Sequence, residues 1–189
     1  MSQDWRSRKR DETHQRIHEA GMRLFEQHGY DQVSVAQIAA AAGVSVPTFY
    51  AHYPSKEHVV FLPTPTSTEI LPLIDLVPRD LPVGERIRAM APYWFAQFPK
   101  DQRGPVLARW RMVATTPSLR IRAAEFERTT ADAVIEAISI ADGQPLTGAE
   151  RVVAMAYLAA FTSAFLTWAD THGERELEAI VEESFQALR

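Results

Sequence analysis

Residues 33–53, VSVAQIAAAAGVSVPTFYAHY, fit only one local structure well: two short helices folded about a tight turn. Ser34 is placed to cap the first helix, with Gln37 three residues later as the other half of a capping box, and Val35, Ile38, Ala39 and Ala42 recur at helical spacing. Gly43 then breaks the run and supplies the positive φ of a sharp helix-to-helix turn. Val44 follows as a plug between the helices, Ser45 as the cap of the second, and Pro47 falls in its first turn, where the backbone amides lack intrahelical acceptors.

The second helix, residues 46–53, turns only Phe49 and Tyr53 inward. Its other face offers Val46, Pro47, Thr48, Tyr50 and His52: small apolar groups, hydroxyls and an imidazole, with no full charge. Such a face suits thymine methyls and phosphate oxygens in a DNA major groove. The bare pattern is equally that of an ordinary helical hairpin with its polar side in water.

The flanks separate the two readings. Residues 16–57, RIHEAGMRLFEQHGYDQVSVAQIAAAAGVSVPTFYAHYPSKE, closely resemble the DNA-binding domain of the TetR family of transcriptional repressors. The resemblance is carried by Leu24-Phe25 at the end of an amphipathic first helix (residues 11–28), Gly29-Tyr30-Asp31, Ile38-Ala39, Ala42-Gly43-Val44-Ser45, Thr48-Phe49-Tyr50, Tyr53 and Ser55-Lys56-Glu57. It covers the first third of the chain. It implies phosphate contacts by Tyr50 and Lys56, with the Lys56 ammonium beside a further helix capped by Ser55. Together with the face described above, it makes Ser34, Ser45, Val46, Pro47, Thr48, Tyr50, His52 and Lys56 the candidate DNA-contacting set.

The formal charge of −4 over 189 residues looks unfavourable for binding DNA, but it is unevenly spread. In residues 1–60 seven basic and seven acidic side chains cancel, and Arg6, Arg8, Lys9 and Arg10 cluster before the first helix, as an arm for phosphates or a minor groove, or as a solvated tail. His14 and His18 share a helical face at metal-binding spacing, yet no third ligand or HExxH context accompanies them, and no metal or cofactor is expected. The chain has no cysteine, which excludes thiolate catalysis and disulfides. Residues 1–20 lack the apolar run of a secretory signal, so a cytoplasmic protein is expected. No phosphate loop, nucleophile elbow or paired-carboxylate motif supports an enzyme. An all-helical enzyme or small-molecule carrier that uses the helix-turn-helix only for packing is the alternative.

Pro63, Pro65, Pro72, Pro78 and Pro82 interrupt the long fourth helix that the family resemblance implies. The expected organisation is a DNA-binding domain over residues 1–60, a proline-rich connector over 61–83 with a short helix near 68–76, and a helical domain over 84–189. Five helices are expected in the last, at residues 85–98, 101–115, 118–141, 148–171 and 174–188, and the fold class is all-α. Between Val152 and Ala169 no side chain is charged, which predicts a helix buried on nearly all sides, against its own core and a partner. A membrane span is the rival reading, opposed by marginal length and by Tyr157, Thr162, Ser163 and Thr167.

The family resemblance implies a homodimer built on the last two helices, reading a palindromic operator, and assigns its interface to Ala156, Ala160, Ala164, Trp168, Leu177, Ile180, Val181 and Phe185. Trp94, Phe98, Trp110, Met112, Phe126, Phe161 and Phe165 are candidates for the wall of an apolar ligand cavity, although aromatic residues at helical spacing equally make a core. The C-terminal part also loosely resembles TetR-like regulators with acyl-CoA-type ligand domains. The chain thus reads as a ligand-released repressor of transcription.

Overall fold

The computed structural model describes the backbone of residues 2–61, 64–96 and 99–189, with the side chains of Trp5 and of residues from Arg8 onward. Among the described residues there are ten α-helices and no strand. The chain divides into two compact units, Met1–Leu62 and Pro63–Arg189.

The first unit holds α1 (Ser2–His28), a 3-10 turn (Tyr30–Gln32), α2 (Val35–Ala41), α3 (Val46–His52) and α4 (Glu57–Val60). α1 starts well before the expected residue 11, so Arg8, Lys9 and Arg10 stand on a helix and do not form a free arm. Its inner face carries Ile17, Ala20 and Phe25, which share the buried core with Ile38, Phe49 and Val59 from the next three helices. Gly21 permits the close approach of α1 to α4: a Cβ there would sit 2.5 Å from a Val59 methyl. Gly43 turns the chain between α2 and α3 at φ 66°, the left-handed conformation that glycine adopts without strain. α4 stops after four residues, with Phe61 in extended backbone. Pro63 lies outside the described residues.

The second unit contains α5 (Ser67–Ile74), α6 (Val83–Ala96), α7 (Gly104–Thr115), α8 (Pro117–Asp142), α9 (Gly148–Asp170) and α10 (Leu177–Gln186). Reciprocal capping boxes start two of them. Thr66 with Glu69 opens α5, and Thr147 with Glu150 opens α9. α9 is the central element, packed by α6, α7, α8 and α10. The α6–α8 contact includes a buried charge: Arg86, only 2% exposed, donates to Asp142 at 2.7 Å.

Within a single protomer α9 is covered on one side, the part of its expected burial that its own core supplies. Ala154, Tyr157, Ala164, Phe165, Trp168 and Ala169 face the core, whereas Val152 is 67% exposed and Met155 48%. Absence of charge excludes an ionic, strongly hydrated face but does not require that every side be covered within one chain. The helix has the length and composition to cross a membrane. Its inner side nevertheless forms the middle of a helical core, which gives its apolar residues a packing role.

Candidate functional site

α3 is built to present a small, uncharged face. The Ser45 hydroxyl accepts from the Thr48 amide at 3.1 Å and also bonds the Thr48 hydroxyl at 2.7 Å, so both oxygens are engaged in starting the helix. Ser34 does the same for α2, accepting from the Gln37 amide at 3.3 Å while its own amide donates to the Gln37 side chain at 2.8 Å. Phe49 and Tyr53 are buried beneath α3, 0% and 3% exposed. Val46, Pro47, Tyr50 and Ala51 are exposed, and Thr48 and His52 half-exposed. The structure therefore brings Val46, Pro47, Thr48, Tyr50 and His52 onto one short helix, and adds Ala51. That residue escapes notice in the sequence because a methyl group carries no chemical signal.

Lys56, expected to meet a phosphate, is also held within its own unit. Its ammonium donates to the Tyr30 carbonyl at 3.0 Å and to the Val33 carbonyl at 3.1 Å, and lies 4.0 Å above the Tyr30 ring. Two of its three donors are thus used to fasten the 3-10 turn, and one is left for a phosphate. Ser55 does not cap α4. Its hydroxyl donates to the Glu57 carboxylate and also bonds His58 Nδ1 at 2.9 Å, and Lys56 itself occupies the cap position.

α3 is tied to α1 by a histidine-rich seam. Tyr53 donates its hydroxyl to the His14 carbonyl at 3.1 Å and stacks its ring on that imidazole, 4.1 Å between centroids. His18 Nδ1 donates to the Val59 carbonyl at 2.8 Å. Burial lowers the pKa of His14, and the neighbouring His52, His18 and Arg10 lower it further against a small opposing effect of Asp11. Burial and Arg10 lower that of His52. The folded unit therefore binds fewer protons than the unfolded chain. Its stability is full above the unfolded histidine value of about 6.5 and declines as pH falls from there through the lower folded values. A thermal melt of the N-terminal unit is expected to shift down between about pH 7 and pH 5.5, and His14→Gln with His52→Gln to flatten that slope. An unchanged slope in the double variant would remove these residues as its cause.

The aromatic residues of the second unit pack against one another. Trp94 meets Phe161 edge-on at 5.1 Å and Phe165 at 5.6 Å, and Trp110 stacks on Phe165 at 4.8 Å. These candidate wall residues thus touch one another, and Trp94, Trp110 and Phe161 are only partly buried. Met112 on α7 and Phe126 on α8 are half-buried. Phe98 lies outside the described residues.

Most of the expected interface residues are already buried within the protomer. Ala164, Trp168, Leu177, Ile180, Val181 and Phe185 are at most 5% exposed in the single chain and have no surface left to give a partner. Their periodicity reflects the packing of α9 on α10 within the protomer. Ala156 and Ala160 are half-buried at the edge of that contact. The uncovered side of α9 carries Val152, Met155, Ala159 and Ser163 instead.

Residues 17–61 match the family described as bacterial regulatory proteins, tetR family, and residues 81–189 match the MftR C-terminal domain. Among curated proteins, the HTH-type transcriptional repressor BdcR of Escherichia coli is 41% identical over 64 residues, covering 33% of this chain and 32% of that protein. The putative mycofactocin biosynthesis transcriptional regulator MftR of Mycobacterium tuberculosis is 29% identical over 114 residues, or 60% of this chain and 57% of that one. The matched parts therefore span about a third and somewhat over half of these relatives. Among solved structures, Thermus thermophilus FadR, a TetR-family repressor in complex with lauroyl-CoA, shares the fold at a TM-score of 0.53 and 22% identity, covering 93% of this chain and 92% of its own.

Proposed function

This chain belongs to the tetR family of bacterial regulatory proteins, and from that premise we propose that it is a homodimeric, cytoplasmic repressor of transcription that binds a palindromic DNA operator. The observation that carries the reading is α3, capped by Ser45, anchored by Phe49 and Tyr53, and turning an uncharged face of Val46, Pro47, Thr48 and Tyr50 outward. A face of this size enters a major groove, where methyl and hydroxyl groups discriminate bases and the Tyr50 hydroxyl reaches a phosphate. The organisation is a DNA-binding domain over residues 1–60, a connector over 61–83 and an effector and dimerisation domain over 84–189.

The dimer contact in this proposal is the uncovered face of α9. Val152 and Met155 supply apolar area, and Ala159 and Ser163 let two helices approach closely. The effector is a small, largely apolar molecule with an acyl chain, a reading supported by the likeness to FadR with lauroyl-CoA. Its binding favours a spacing of the two heads that no longer fits the operator.

Selection of randomised duplex DNA on the purified protein at two salt concentrations tests the reading: an inverted repeat is expected, and weak binding with no motif at either salt would refute it. The same assay separates the residue roles. Tyr50→Phe should weaken all sequences alike, whereas Thr48→Ala should change the preference between sequences by about 1–3 kcal/mol at the contacted base. Identical behaviour of the two variants would overturn the division between phosphate and base contacts.

A further inference from the structure

A cavity of about 710 Å³ opens between α6 and α10, beside the aromatic cluster that the sequence singles out, since Phe95 and Phe185 of its lining both stack on Phe161. Its volume lies within the usual range of small-molecule sites. The floor is apolar: Ala89, Ala91, Pro92, Phe95, Val181 and Phe185. The rim carries two arginines, each gripped by a glutamate of α10. Arg103 donates from both terminal nitrogens to Glu178 at 2.7 Å, with its guanidinium 5.6 Å from the Phe95 ring centre. Arg88 holds Glu182 in the same two-pronged manner.

We infer that this cavity is the effector site of the regulator proposed above, and that it takes an amphipathic anion whose carboxylate exchanges with Glu178 and Glu182 on Arg103 and Arg88 while its apolar tail covers the floor. The inference rests on that proposal for the link to DNA.

The asymmetry of burial decides the sign of the ligand. The Arg103 side chain is 10% exposed, and left without a counter-ion it would be a costly buried charge. The side chains of Glu178 and Glu182 are 37% and 40% exposed and can be hydrated where they stand once their arginines turn to a ligand. A cationic head would take Glu178 from Arg103. An anionic head releases only glutamates that already face water. A ligand carboxylate has two oxygens, enough to replace the fork on one guanidinium or to bridge both with one bond each, and partly exposed pairs of this kind cost little to exchange.

The glutamates are ionised competitors at neutral pH, held below the ordinary carboxylate range by the hydrogen bonds from Arg103 and Arg88. The exchange has a structural consequence. Arg88 lies on α6, Arg103 directly precedes α7, and both glutamates lie on α10, so an incoming anion releases the ion pairs that link α10 to α6 and to the start of α7, while its packing on α9 remains. That gives the second unit a bound and an unbound arrangement.

The experiment is calorimetric titration of the full chain with sodium dodecanoate and with dodecyltrimethylammonium as the cationic counterpart. Wild type should bind one dodecanoate per chain and the ammonium far more weakly. Arg88→Gln with Arg103→Gln should weaken dodecanoate by about tenfold or more, the loss of charge-assisted pairs. Glu178→Gln with Glu182→Gln should tighten it by about three- to fivefold, because the competitor for each arginine is weaker. A purely structural role for these ion pairs would not produce tighter binding.

If the arginine variant unfolds, as circular dichroism would reveal, the glutamine variants at the half-exposed glutamates decide alone. Absence of dodecanoate binding, equal binding of the ammonium, or unchanged or weaker binding in the Glu178→Gln, Glu182→Gln protein overturns the inference. A gel shift on the same samples separates the two claims. Specific DNA binding without dodecanoate binding sinks only the effector site, and loss of specific DNA binding in wild type sinks the regulatory reading.

Discussion

With arginine in place of Met155, the chain is expected to remain folded, to sediment as a monomer, and to lose about 100-fold or more of its operator affinity. Met155 is 48% exposed and stands between Val152, 67% exposed, and Ala159 on the uncovered side of α9, so a longer polar side chain meets nothing within its own protomer. At a two-fold contact each substitution appears twice and close to its own copy. Two guanidinium groups would be brought together and stripped of water, a strongly unfavourable arrangement without a carboxylate between them. A single head then has to hold its half-site unaided, and the loss is that of the effective concentration supplied by linkage. Met155→Ala is the control. It removes apolar area but adds no charge, and should weaken the dimer without abolishing it. Sedimentation velocity and DNA titration check both variants. A dimeric Met155→Arg protein with wild-type DNA affinity would move the interface to another face.

Sequence reading loses its hold where one pattern can serve more than one kind of contact. Segment type was legible, and so were the boundaries of α2 and α3, because they are encoded within a few residues: Ser34 with Gln37, Ser45 with Thr48, and Gly43 at positive φ act over three or four positions. The inward positions of Phe49 and Tyr53 followed from the same period. Partner choice is not encoded locally. The stripe of Leu177, Ile180, Val181 and Phe185 correctly announced a face to be buried, but the same pattern serves packing within the chain or between chains, and here it serves the former. The residues left for a partner, Val152 and Met155, carried no periodic signal because both sides of α9 are apolar. The Lys56 ammonium was read from its neighbours in sequence, whereas its bonds go to Tyr30 and Val33 more than twenty positions away. The ion pairs of the cavity join residues about 75 and 94 positions apart, Arg103 with Glu178 and Arg88 with Glu182, and no local pattern marks such a pair.

Phe49→Ala is expected to abolish DNA binding while leaving the dimer and the C-terminal unit intact. The ring is 0% exposed, meets Tyr50 edge-on at 5.4 Å and Tyr53 at 5.9 Å, and fills the space beneath the helix that the proposed function depends on. Truncation of a buried phenylalanine costs about 3–5 kcal/mol, from lost transfer energy and the cavity left behind. A unit of 60 or so residues has only about 3–9 kcal/mol to lose, at the usual stability per residue. The variant head should therefore be largely unfolded near body temperature, and α3 with it. The second unit has its own core around α9, built from residues such as Ile138, Ala164 and Phe165 that do not involve Phe49. Circular dichroism should show partial loss of helix with one cooperative transition remaining, sedimentation should still report a dimer, and no operator shift should appear at any practical concentration. Phe49→Leu keeps most of the volume and should bind DNA with a lowered melting temperature. The two variants fail in opposite ways: Met155→Arg keeps its heads and loses their partnership, and Phe49→Ala keeps the partnership and loses its heads. Mixing the two proteins should restore no operator binding, because a mixed dimer, even where one arginine is tolerated, carries a single folded head.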